Sequence, residues 1–320
     1  GEADEIGFSF LFDDHENYSL WPMFGHFGIT EYSDHLSVTA DGVVQYNPTL
    51  PAYREALKYL HSLYVDGLLD QESFTQELPQ LRGKAQGSEV ILGSFMGYSN
   101  TALIGGGNPR SGEYFPVMPL SSPVTDEPVW PGASGFFSKG AFAITMNDPT
   151  PEVTMRWIDL VFEPRRSFEF AQGPIGFRWV ELPDGRFEQK ELPTDVERAD
   201  FRWAEAPVND FPYVVLKEME VRRIRNVNPY GKKNEHMEAL GDQLVDGGYP
   251  SILMSEEDVN DLLRFKTDLH DYVNKSIVDW IVGGHTDEDW NRFNSQLEKF
   301  GIDEMMEIYQ RNYDRYINAD

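Results

Sequence analysis

An α/β fold is predicted for this chain on three observations. Short apolar stretches of strand length alternate with segments of helical periodicity. Tight-turn signals, Ala40-Asp41-Gly42 and Pro183-Asp184-Gly185, each sit between two such stretches, as in hairpins. Residues 251–320 form a helical tail whose start and stop signals are all in place.

The elements follow in order. Residues 6–12 are apolar and aromatic, and read as a strand or a pocket-lining loop. Residues 18–29 read as a short helix broken by glycine, and 36–39 with 43–46 as a hairpin. Asn47-Pro48-Thr49 opens a helix carrying Tyr53, Ala56, Leu57, Leu60, Leu63 and Tyr64 at helical spacing, which Gly67 stops. A second helix is expected over 73–85, a buried strand at Val90-Ile91-Leu92, a loop at Gly105-Gly106-Gly107 and a strand over 114–118. The proline-rich run 119–131 reads as a crossover and a seam between two lobes. Residues 136–145 look like a strand pair or one long strand. Thr150 with Pro151 opens a helix with Val153, Trp157, Leu160 and Val161 on one face, and 165–173 continue as another. A hairpin over 177–189, one helix near 212–226 and a long loop over 226–250 complete this part. In the tail, Ser255 with Asp258 resembles a capping box. Val259, Leu262, Leu263, Leu269, Val273, Ile277, Trp280 and Ile281 make its apolar stripe. Gly283-Gly284 ends that helix, Thr286 caps the next, Gly301 ends it, and a last helix runs over 303–318. Trp157 and Trp280 are expected in the core.

Composition excludes several classes of function. Against 27 Lys and Arg stand 54 Asp and Glu, a formal charge of −27, so the surface repels nucleic acid and anionic membranes. The chain has no cysteine, which removes disulfides, thiol catalysis and thiolate metal sites. It has no apolar run of membrane-spanning length and no signal peptide. Its opening, Gly1-Glu2-Ala3-Asp4-Glu5-Ile6, reads as the middle of a motif, so the natural N-terminus is expected upstream. No Gly-x-Ser-x-Gly elbow, P-loop or His-Glu-x-x-His motif supports an enzyme. A glycoside hydrolase or lyase needs only paired carboxylates, for which the Asp13-Asp14 pair is one place to look. A surface interaction module finds no repeats to support it.

Three separated segments carry a resemblance. They are 41–76, with Tyr53-Arg54-Glu55-Ala56-Leu57-Lys58-Tyr59-Leu60 and Leu63-Tyr64-Val65-Asp66-Gly67-Leu68-Leu69-Asp70; Gly140-Ala141-Phe142-Ala143-Ile144-Thr145 with the helix after it; and 290–316, with Leu297-Glu298-Lys299-Phe300-Gly301 and Glu307-Ile308-Tyr309-Gln310. Together they resemble the family 1, lipoprotein-type extracellular solute-binding proteins of bacterial ABC sugar importers, similar to alginate-oligosaccharide-binding proteins. The resemblance implies a periplasmic-binding-protein type II-like fold of two α/β lobes, incomplete here at the N-terminus. It implies that 1–128 belong mainly to one lobe (the family's second), that 129–180 are part of the other, that 181–250 form an irregular cleft or hinge segment, and that 251–320 are C-terminal helices. The function it implies is non-catalytic binding of a carbohydrate, an oligosaccharide above all, in an interlobe cleft, for delivery to a permease. A non-sugar solute such as a peptide is the other ligand class. The protein would act as an extracellular monomer, anchored as a lipoprotein in its full-length form.

For a sugar site, aromatic faces must cover C–H patches and planar polar groups must reach hydroxyls. Phe95, Tyr98, Trp130, Arg178, Trp179 and Trp203 are the candidates that meet this need near loops or strand ends. Trp21 and Phe136 are further aromatics of the same kind. The basic stretch Lys217, Arg222, Arg223, Arg225, Lys232 and Lys233 could meet an anionic sugar, but reads more simply as a helix face paired with Glu218 and Glu220. Relatives that bind alginate carry a calcium loop, Asp-x-Asn-x-Asn-Gly-x-x-Asp-Glu, and the chain's opening residues look like its second half. Glu2 would offer a carbonyl, and Asp4 and Glu5 their carboxylates, to a structural calcium. Half a loop supplies few of the six to eight oxygens that calcium takes.

Overall fold

The computed structural model describes residues 5–12, 18–105, 108–132, 142–190, 206, 212–214, 216–224 and 233–319. The chain divides into two compact units, one made of 1–137 with 230–320 and the other of 138–229.

In the first unit, Ile6–Ser9 pairs in parallel with Leu92–Phe95, in the register Ile6↔Leu92 and Phe8↔Ser94. Leu36–Val38 and Val44–Tyr46 form the expected hairpin, with Gly42 in the left-handed turn position. The Pro51–Val65 helix buries Tyr53, Ala56, Leu57 and Leu60, which fall on one face because they recur at three and four residues. That face packs on the Glu256–Gly283 helix, which buries Leu262, Leu269, Val273, Ile277, Trp280 and Ile281. Each such side chain contributes about 1.5–3 kcal/mol of hydrophobic stabilisation. Asp287–Lys299 and Ile302–Ile317 follow. The capping box of Thr286 and Asp289 starts the former. The latter is tied back to the tail's beginning through Asp258, which takes Arg311, Asn312 and Arg315. Arg311 and Asn312 hold the Asp258 carboxyl below the usual carboxylate range.

In the second unit, Pro151–Val161 and Pro164–Gln172 precede the hairpin Trp179–Glu181 and Phe187–Gln189, whose turn holds Gly185 at φ +80°. Arg223–Ile224 adds to Phe187–Gln189 in parallel. Phe168, Trp179, Phe187 and Met219 form this unit's core.

Several sequence expectations are corrected. The second helix spans Leu78–Gln86, because Asp70 caps a separate 3-10 turn at Gln71–Phe74 and Glu77 with Gln80 caps the helix proper. The strand begins at Leu92 and Val90 is exposed, since the partner strand fixes the register two residues further on. Residues 114–118 join no sheet among the described residues, and Phe115 and Val117 are exposed. A short helix, Asn100–Ile104, arises where none was expected, capped by the Ser99 hydroxyl. Of 136–145, residues 136–141 lie outside the described residues and 142–145 form no strand. The helix near 212–226 is only Lys217–Glu220, and the supposed loop 226–250 contains the Lys233–Leu240 helix. Trp280 is in the core, but Trp157 is 50% exposed, as are Val153 and Leu160 in similar measure. Apolar residues lie on more than one face of Pro151–Val161, and Ile158 with Val161 is the face that buries.

A polar network lies inside the first unit. The Glu31 carboxylate (1% exposed) meets His35 Nδ1 (0% exposed) at 2.5 Å. Asn47 Nδ2 donates to the other Glu31 oxygen at 2.5 Å and to Thr30 O, and the Tyr53 hydroxyl donates to Glu31 at 3.1 Å. His35 Nε2 pairs with Asn274 Oδ1 at 3.1 Å, and Ser37 donates to Asn47. His35 is held at φ +60°, a conformation that costs a non-glycine residue about 1–2 kcal/mol. Burial alone lowers the His35 pKa, but Glu31 and Asn274 outweigh it and raise the ring above its ordinary 6.5.

Replacing Glu31 by Ala strands a buried imidazole and is expected to cost about 3–5 kcal/mol, read as a lower urea midpoint. Because the folded His35 pKa is raised, its contribution is complete below pH 6.5 and is lost as pH rises through the folded value. Urea midpoints of the native chain should therefore fall across that range, and those of His35→Gln should fall less. Gly301 has φ +83°, and a Cβ there would lie 2.6 Å from the Phe265 ring. Gly301→Ala should lower stability by about 1–3 kcal/mol in the same assay.

Candidate binding site

The first unit holds a cleft of about 420 Å³, lined by apolar and aromatic side chains with a few polar groups. Its floor follows from the parallel strand pair. Leu92–Phe95 delivers Phe95 at the strand's end, and the chain turns at Gly97 to present Tyr98. A Cβ at Gly97 would press on the rings of Phe95 and Tyr18, at 3.1 and 3.3 Å, so the glycine lets these aromatics close up without shifting. Phe95 lies 5.4 Å from Tyr114, whose hydroxyl donates to Leu92 O at 2.5 Å. That bond anchors 114–117 along the cleft without a strand. The Lys233–Leu240 helix closes the cleft with Lys233 and His236.

The Lys233 ammonium sits 3.2 Å from the centre of the Tyr98 ring. Burial pushes its pKa down to about 8. Burial also lowers the His236 pKa from its ordinary value. Its Nε2 is buried with no hydrogen-bond partner among the described residues. Trp130 meets His236 edge to face at 5.2 Å, fixed there by the pairing of Trp130–Pro131 with Leu244–Val245. The cleft thus offers the ring faces of Phe95, Tyr98 and Tyr114 together with the Lys233 ammonium and the Glu113 carboxylate, a set suited to a polyol with apolar patches.

The structure therefore brings Phe95 and Tyr98 into the cleft, whereas Trp130 does not line it and meets it only through the His236 ring. Arg178 and Trp179 lie elsewhere, in the second unit. Trp179 is 1% exposed, packs on Phe168 at 5.3 Å and donates its indole N–H to Gln172 O. Arg178 beside it is buried too. Trp21 is buried in the first unit's core, while Trp203 and Phe136 lie outside the described residues. Tyr114, Phe115 and His236 were not singled out in the sequence, since nothing local marks a loop aromatic or a lone histidine as a lining residue. Lys233 was seen only as part of a basic stretch. That stretch is not one helix face: Arg222 lies over the Phe187 ring at 4.7 Å in the second unit, and Lys233 is in the first. Arg225, Lys232, Asp13 and Asp14 lie outside the described residues, and the side chain of Lys217 is not described.

Of the proposed calcium ligands, Glu2 and Asp4 lie outside the described residues, and Glu5 is exposed at the foot of the first strand. Among the described residues, no three His, Asp or Glu side chains converge as a metal site. No helix of the described residues is long and apolar enough to cross a membrane.

No protein-family model matches the chain. It is 26% identical, over 99% of its length and 58% of the relative's, to the fructooligosaccharide ABC transporter substrate-binding protein FusA of Streptococcus pneumoniae serotype 4 (strain ATCC BAA-334 / TIGR4). Solved structures of S. pneumoniae FusA with kestose, and of its EF-hand mutant with fructo-nystose, align over 100% of this chain and 65% of theirs, each with a TM-score of 0.81, at 24% and 23% identity. An extracellular solute-binding protein from Bifidobacterium longum subsp. infantis aligns over 99% of this chain and 66% of its own, with a TM-score of 0.77 at 18% identity. The chain spans about 58% of the length of its curated relative. Its fold is that of solute-binding proteins over the aligned part.

The environment of Lys233 can be tested without any ligand. At pH 8 about half of a lysine with a pKa of about 8 is neutral, against under about 1% of an ordinary one. Limiting acetic anhydride at pH 8, followed by peptide mapping, should modify Lys233 several-fold faster than the exposed Lys275.

Proposed function

We propose that this chain, a relative of the substrate-binding proteins of bacterial ABC sugar importers, captures an oligosaccharide without altering it, for delivery to a permease. One observation carries this reading: Phe95, Tyr98 and Tyr114 line one cleft with Lys233 and His236, which lie more than a hundred residues further along the chain. Stacking faces and a few convergent polar groups are what sugar recognition requires. The names of the relatives support the same class of ligand, and a non-catalytic role.

In this reading the two units correspond to the two lobes of the relatives' fold. The divisions expected from the sequence, at 128, 180 and 250, are kept only as approximate lobe and hinge limits. Arg178 and Trp179 are buried in the second unit and are given no part in ligand contact in this reading. The protein works outside the cell as a monomer, held at the membrane as a lipoprotein. Calcium is a narrower part of the proposal. The EF-hand named for the pneumococcal relative supports a structural calcium near Glu2, Asp4 and Glu5. The described residues supply no such site, so no step of ligand capture is assigned to it.

A thermal-shift screen of kestose, maltotriose, xylotriose, a trigalacturonate and a tripeptide tests the proposal. One sugar should raise the melting temperature saturably, by a few degrees at about 100 times its Kd, and remain intact. Phe95→Ala should weaken that sugar about tenfold while leaving the far-UV circular dichroism unchanged. Cleavage of a sugar in the same tubes would point to a glycoside hydrolase or lyase instead. A shift with the tripeptide alone would replace the carbohydrate by a peptide.

A further inference from the structure

We propose that Lys233 is an internal competitor for the sugar site: its ammonium occupies the face of Tyr98 on which a sugar ring would stack, and it must leave before the sugar binds. This inference rests on the carbohydrate reading of the cleft.

A tyrosine ring has two faces. Tyr98 packs against the apolar cluster that includes Leu11, Leu81 and Leu103. The cleft side is covered by Lys233, 3.2 Å from the ring centre. That distance leaves no room for another atom between ammonium and ring. A pyranose or furanose face needs the same position, because stacked C–H groups approach a ring at van der Waals distance. Lysine and sugar therefore exclude one another on Tyr98. Both are attracted by the same ring, the lysine through the ring quadrupole and the sugar through its C–H patch.

Lys233 begins the Lys233–Leu240 helix, and its stem is unbranched and carries several rotatable bonds. It can swing off Tyr98 while its helix stays in place, and once displaced its ammonium can reach sugar hydroxyls. His236, one turn along, stays on Trp130. The consequence runs against intuition for a cation in a binding cleft. Removing the charge should tighten binding of a neutral sugar, because the apo state loses the interaction that the sugar must break.

Two arms test this. In the first, without ligand, lysines are reductively methylated with 13C and the Lys233 resonance is assigned from Lys233→Met. Directly over a ring, its methyl signal should be shifted upfield, and Tyr98→Leu should abolish the shift. An unshifted signal in the native chain overturns the proposal whatever any sugar does. In the second arm, kestose, maltotriose and xylotriose are titrated by calorimetry into the native chain and Lys233→Met. The best-bound sugar should bind Lys233→Met about three- to tenfold tighter, and saturation should move the native Lys233 signal back to the ordinary lysine position. Weaker binding by Lys233→Met, or a ring-shifted signal that persists at saturation, overturns the competitor and makes Lys233 a direct ligand. A shifted signal with no sugar bound by either protein overturns the carbohydrate reading itself, and the competitor with it.

Discussion

The Glu31–His35 pair is the constraint around which the first unit is arranged. Two ionisable groups without solvent cost several kcal/mol each unless every polar atom is matched. The matching groups come from far apart in the chain: Asn47, Tyr53 from the Pro51–Val65 helix and Asn274 from the Glu256–Gly283 helix. The network can therefore be satisfied only when the early hairpin, the first long helix and the C-terminal helix are assembled together. That is why residues 1–137 and 230–320 form one unit although more than ninety positions separate them. The strained backbone of His35 follows from the same demand, since only that conformation aims one ring nitrogen at Glu31 and the other at Asn274.

Much of this architecture was legible in the sequence wherever periodicity and caps agreed. The Tyr53–Leu60 stripe, the Asp41-Gly42 turn and the Ser255 and Thr286 caps each report a local preference that the fold leaves alone. The misreadings occurred where tertiary pairing overrode local pattern. Leu92–Phe95 contains Gly93 and Ser94, and looks less strand-like than Val90-Ile91-Leu92. It is the strand because Ile6–Ser9 pairs there. Trp157 was misplaced for a different reason: a helix apolar on several faces carries no information about which face turns inward.

The binding cleft was only partly legible. Phe95 and Tyr98 stand at a strand end, a position that sequence can flag. Trp130 was distinguished only by its irregular surroundings. Nothing in the sequence tied any of them to Lys233 and His236, more than a hundred residues on. Their meeting depends on the pairing of Trp130–Pro131 with Leu244–Val245, two-residue strands too short to leave a pattern. Arg178 and Trp179 illustrate the reverse. Adjacent polar and aromatic residues near a turn read as a site, yet Trp179 serves as the central ring of a small core, together with Phe168, Phe187 and Met219.

The charge balance gives meaning to Lys233, the one cation among the described residues that line the cleft. A chain of net charge −27 repels anionic solutes at long range, but that field decays within about 8 Å at physiological ionic strength. Inside the cleft, discrimination rests with whatever groups are already there. A lysine held by a tyrosine face has part of its interaction energy satisfied before any ligand arrives, so an incoming solute is credited only with what it adds beyond that. In the carbohydrate reading proposed above, a neutral oligosaccharide brings ring stacking on Phe95 and, once Lys233 has moved aside, on Tyr98. A small anion adds attraction to the ammonium but leaves the aromatic faces unmet, and it must first approach through an acidic surface. A lysine in the cleft of an acidic chain therefore does not imply an acidic ligand: Glu113 lines the same cleft, and the ammonium is already engaged by an aromatic ring.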